Sequence, residues 1–113
     1  MNQVVFDLEA TIEIAQSLFK QNKFLETIDT CNELLATDSN SIEALKIIAK
    51  CCLATRKIDD ARLYLNKALN IQPNDYEVIK DLGNIYQAVG DINNAKNYYQ
   101  KAIFFSSKIL KTK

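Results

Sequence analysis

The stretch Leu82-Gly83-Asn84-Ile85-Tyr86 decides the fold. Leu82 and Tyr86 are four apart and share one face of a helix. The glycine beside the leucine lets a second helix approach to about 8–9 Å. Downstream, Ala95 and Ala102 are again short side chains on an otherwise apolar stripe. Upstream, Ala61, Ala68 and Pro73 stand 34 residues before Ala95, Ala102 and Ser107. A fixed period of this length marks a stack of repeated units, each burying its apolar face against the next.

The period divides the chain into three units, roughly 8–41, 42–75 and 76–109, forming a single domain over 1–113. Each unit reads as two helices, with spans near 7–21, 24–37, 41–55, 59–71, 75–88 and 92–109. Asn40 with Glu43 and Asn74 with Glu77 fit capping boxes, and Asp91 is placed to cap the last helix. Gly90 sits where a left-handed C-cap wants no side chain. Pro73 closes the loop after the fourth helix. Apolar stripes follow the 3.6 period: Leu45, Ile48, Ala49 and Cys52; Ile58, Ala61, Leu65, Ala68 and Leu69; Ile79, Leu82, Ile85, Tyr86 and Val89.

On these residues the chain resembles the tetratricopeptide repeat family. Leu82, Gly83, Tyr86, Ala95, Tyr99 and Ala102 fall where the family pattern wants them, with Ile79 in place of Trp and Ser107 in place of Pro. The second unit keeps Ala61, Ala68 and Pro73 but has Ile48-Ala49 for Leu-Gly and Cys52 for Tyr. The first unit is degenerate, with Thr27, Cys31 and Leu34 at the positions of Ala, Phe and Ala. The resemblance implies an all-α fold of three stacked helix–turn–helix units in a right-handed superhelix. The first helices would line a concave groove that holds a peptide or helix of a partner protein.

Within that groove the candidate partner-binding residues are Gln16, Lys20, Lys46, Lys50, Lys80 and Asn84. Against them stands local pairing of Glu43 with Lys46 and of Glu77 with Lys80, three apart on one helix. One branch of the family grips the carboxylate of chaperone tails with Lys, Asn and Arg. The corresponding places here look like Ile12, Gln16, Ile47, Glu77 and Asp81, and none carries the required type.

The rest of the sequence excludes more than it adds. There is no His, and the three cysteines, two of them adjacent, lack metal or redox spacing. No catalytic, cofactor or metal site is expected, and the cysteines read as reduced thiols of a cytoplasmic protein. Acids and bases balance at 14 each, although every charge from residue 92 onward is a lysine. Without an aromatic platform, that tail does not argue for nucleic acid. No segment reads as a signal peptide or a membrane span. Asp59-Asp60 sits at a helix start, where acids favour the dipole.

The function expected is therefore a non-catalytic interaction scaffold. Ile103, Phe104, Phe105, Ile109 and Leu110 leave the last helix apolar, Phe104, Phe105, Ile109 and Leu110 being the candidates for self-association, and exposed patches of this kind mark contact sites. The alternatives are thus self-assembly into a homo-oligomer through that end, or an accessory domain of a longer enzyme.

Overall fold

The computed structural model describes residues 7–111, with side chains through Ile109. Six α-helices follow in order: α1 (Leu8–Lys20), α2 (Phe24–Thr37), α3 (Ile42–Ala54), α4 (Ile58–Ile71), α5 (Tyr76–Ala88) and α6 (Ile92–Lys111). They pair as three hairpins stacked into a slab of 55 × 36 × 22 Å. No strand occurs among the described residues, and no helix there is long and apolar enough to cross a membrane.

The 34-residue period is repeated in the backbone. Asn22, Arg56 and Gly90 are one period apart and all have positive φ, at 63°, 65° and 87°. Each ends the first helix of its hairpin. The amide after each, on Lys23, Lys57 and Asp91, donates to the carbonyl five residues back, the bond that closes a Schellman turn. The N-caps of the first helices also recur. Asp7, Ser41 and Asp75 accept from the amides of Ala10, Ala44 and Val78. The caps of α3 and α5 thus lie one residue beyond Asn40 and Asn74, the positions expected from sequence. Asp91 caps α6 through the amide of Asn94.

Short side chains sit where helices cross. Ala15, Ala61 and Ala68 are fully buried, as are Leu65 and Leu82. A β-carbon on Gly83 would lie 2.8 Å from Cε1 of Tyr99, so the glycine is what admits the tyrosine ring. In the first hairpin Thr27 takes the place of Ala61 and is fully buried. Its hydroxyl donates to the Lys23 carbonyl at 2.7 Å, which satisfies its polarity within its own helix. Val89, expected on the buried stripe of α5, is instead 61% exposed. It is the C-cap residue, past the last helical turn.

The stack is uneven. α3 packs on both α1 and α2, whereas α5 rests chiefly on α4 and more sparsely. Two ion pairs supplement that second seam. Lys46 Nζ of α3 lies 2.7 Å from Glu77 Oε1 and 3.3 Å from Asp75 Oδ2 at the start of α5.

Candidate functional site

The first helices of the three hairpins border a concave groove of about 440 Å3. Gln16, Phe19 and Lys20 come from α1, Glu43, Lys46, Ile47 and Lys50 from α3, and Glu77 from α5. They converge because positions 16, 20, 43, 46 and 50 lie on the faces of α1 and α3 opposite the partner helix of each hairpin. Phe19 and Ile47 give the groove an apolar floor, and Ile47 is buried. Phe19 is braced by Phe24, with ring centroids 5.6 Å apart.

Four of the six residues expected from sequence, Gln16, Lys20, Lys46 and Lys50, therefore meet in one place. They do not play equal parts. Lys46 is mostly buried and held by two carboxylates from α5, not by Glu43 of its own helix. Burial alone would lower the Lys46 pKa, but the hydrogen bond to Glu77 and the Asp75 and Glu77 charges outweigh it and raise the value. The hydrogen bond from Lys46 in turn pulls Glu77 below the usual carboxylate range. Glu77 is thereby taken from Lys80, its expected partner on α5. Lys20 and Lys50 enter no ion pair among the described residues, so their ammonium groups face the groove uncommitted.

Lys80 and Asn84 lie elsewhere. With Tyr76, Tyr99, Ala102 and Ile103 they line a separate depression of about 420 Å3 at the open end of the stack. Asn84 is already engaged there: the Tyr99 hydroxyl is 2.6 Å from its Oδ1 and 2.9 Å from Gln87 Oε1, one proton serving the two.

The apolar cluster on α6 divides as well. Phe104 and Phe105 meet edge to face at 5.2 Å and border a depression between α4 and α6 with Leu69, Pro73 and Tyr98. Ile109 borders the loop at Gln72 and Asn74. The side chain of Leu110 lies outside the described residues. Ile103, 64% exposed, is the apolar residue of α6 that borders the depression at the open end.

Sequence reading also missed Asp81 as a neighbour of the lysines. It is half-buried, and burial raises its pKa, with Lys80 and Lys50 opposing. A depression of about 700 Å3 lies among α2, α3 and α4 and includes Phe24, Leu25, Leu63 and Tyr64. It shares no lining residue with the charged groove. The thiols are held protonated: burial first, then the neighbouring Cys51, pushes Cys31 up to about 12. Burial and Cys52 push Cys51 up to about 11. All three cysteines are free and buried, and no group of His, Cys, Asp or Glu among the described residues could hold a metal ion.

Comparison with known proteins gives this geometry a context. Residues 5–68 match the family described as anaphase-promoting complex, cyclosome, subunit 3, and residues 81–103 match the tetratricopeptide repeat. The chain is 30% identical over 94 residues to the BBSome complex member BBS4 of Bos taurus, covering 83% of this chain. It spans only 18% of the length of that relative. Among solved structures it resembles the Yersinia enterocolitica type III secretion translocator chaperone SycD, with a TM-score of 0.84 at 15% identity, covering 98% of this chain and 89% of that one. MamA also gives 0.84, at 20% identity, over 93% of this chain and 61% of that one. The second such domain of Spaghetti (RPAP3), bound to an HSP90 peptide, gives 0.78 at 16% identity, over 87% and 91%.

Proposed function

This chain belongs to the tetratricopeptide repeat family, and from that premise we propose that its concave groove binds a segment of a partner protein without catalysing a reaction on it. The observation that carries this is the pairing of an apolar floor, Phe19 and Ile47, with two uncommitted ammonium groups, Lys20 and Lys50. A segment that presents an apolar side chain flanked by carboxylates matches both features. Each cation brings a charge-assisted hydrogen bond to a carboxylate, stronger than a neutral one. Gln16 adds an amide that can donate to a backbone carbonyl of the guest.

Two of the similar structures, domains of Spaghetti (RPAP3), are bound to an HSP90 peptide, so this fold takes peptides in those proteins. The carboxylate grip of that branch has no counterpart here at Ile12, Gln16, Ile47, Glu77 and Asp81. The guest is accordingly read as an internal acidic and apolar segment, not a chain end. A cytoplasmic setting goes with the three unpaired thiols.

The test is a peptide array in which acidic residues are moved around one apolar anchor, followed by titration of the best binder. Lys20→Glu with Lys50→Glu is expected to weaken that binder at least tenfold and to leave the fold intact, because both lysines are exposed. Equal affinity for the variant and the parent chain would remove the groove from consideration.

A further inference from the structure

The two ends of the stack carry the two halves of its own internal joint. At the seam between the second and third hairpins, Lys46 meets Asp75 and Glu77. Asp75 uses Oδ1 to cap α5 and Oδ2 to hold the lysine. One period after Lys46 stands Lys80, exposed at the open end, in no ion pair among the described residues. Two periods before Asp75 and Glu77 stand Asp7 and Glu9, both exposed at the start of α1. Asp7 Oδ1 caps α1 through Ala10, as Asp75 Oδ1 caps α5, and its Oδ2 enters no hydrogen bond or ion pair among the described residues. The first seam has Ile12, Ser41 and Glu43 at these places, with no cation to pair, so the ionic pattern is not a requirement of every joint.

The apolar surfaces follow the same logic. Ile14 is 54% exposed, whereas Ile48 and Leu82, its counterparts one and two periods on, are buried because a preceding hairpin covers them. Ile103 is exposed at the other end, whereas its counterparts Leu35 and Leu69 pack on the core under a following hairpin. The two exposed surfaces thus complement each other as the two sides of the internal seam do.

We propose that this chain associates head to tail with a second copy, α1 of one copy seated on the α5–α6 face of the next. Asp7 and Glu9 then meet Lys80, and Ile14 packs beside Tyr76 and Ile103. The contact is heterologous, so it leaves one head and one tail open at every stage and grows as a linear assembly. It uses a surface distinct from the groove and stands whether or not the groove binds peptides.

Sedimentation velocity of the full 113-residue chain over about a hundredfold range of concentration, at low salt, tests this. The parent chain is expected to shift to faster species as concentration rises. Lys80→Glu disables the tail and Ile14→Asp disables the head, each weakening self-association at least tenfold with an unchanged far-ultraviolet circular dichroism spectrum. Mixed in equal amounts, the two variants retain one intact head and one intact tail between them and are expected to form a one-to-one dimer that grows no further. Ile103→Asp gives a second tail variant if Lys80→Glu perturbs the fold. A parent chain that stays monomeric throughout, a single variant that assembles like the parent, or a mixture that fails to dimerise would each overturn the proposal.

Discussion

Tyr99 occupies the space a side chain on Gly83 would need: a β-carbon there would lie 2.8 and 2.9 Å from the edge of its ring. Gly83→Ala therefore sets two effects against each other. Helix propensity favours alanine by about 1 kcal/mol. The contact forces the tyrosine ring or α6 to shift, which costs about 1–3 kcal/mol and strains the hydroxyl bonds to Asn84 and Gln87. Crowding is expected to win, so the melting temperature falls. In a Tyr99→Leu background the same substitution is expected to be neutral or stabilising, and a thermal-melt double-mutant cycle reads the difference.

Arg56 holds a left-handed backbone at the place where the next unit has Gly90. An L-residue with a β-carbon in that region costs about 1–2 kcal/mol, and glycine avoids it while losing some of the gain to chain entropy. Arg56→Gly is expected to stabilise the chain by about 0.5–1 kcal/mol in urea unfolding, and Gly90→Ala to destabilise it by about 1 kcal/mol. An unfolding midpoint lowered by Arg56→Gly would show that the arginine side chain matters more than its turn.

Glu77 and Asp81, two carboxylates of α5, should respond to pH in opposite directions. Glu77 is held below its usual range by the hydrogen bond from Lys46, so its contribution is present at neutral pH and is lost as pH falls through that range. Lys46 is raised, so its share persists until pH climbs past the usual lysine range. Asp81 is raised by burial, so ionising it weakens the fold as pH rises through the carboxylate range. At pH 7 Glu77→Gln is expected to lower the melting temperature and Asp81→Asn to raise it by a few degrees. Near pH 3 both differences should shrink toward zero.

Buried thiols with pKa values of about 12 and about 11 carry almost no thiolate at neutral pH. Alkylation of Cys31 and Cys51 by iodoacetamide is expected only through unfolding, at a rate that rises with urea. Fast labelling of the native chain at pH 7.5 would mean that the hairpins open far more often than their packing suggests.

Much of this was legible in the sequence, and the parts that were not share a cause. Ala61, Ala68, Ala95 and Ala102 fix the period because only short side chains fit a helix crossing, so all six helices fall within two residues of their expected bounds. Caps slipped by one because Asn40-Ser41 and Asn74-Asp75 place two good capping residues side by side, and local spacing does not choose between them. The pairings of Lys46 and Asn84 have a tertiary cause. Lys46 finds Glu77 across 31 residues, and Asn84 finds Tyr99 across 15, distances at which helical spacing is silent. Arginine is not a turn residue, so local chemistry gives no sign of the positive φ at Arg56.

The unequal seams give the array an order of failure. The first two hairpins interlock through α1, α2 and α3, while the third is fastened mainly by α4 and by the Lys46 ion pairs. In a linear stack, stability is a sum over neighbours, so the weaker joint opens first. Amide exchange in α5 and α6 should outpace that in α1 through α3, and added salt should widen the gap. The last hairpin would then unlatch as a unit while the remaining four helices hold their places.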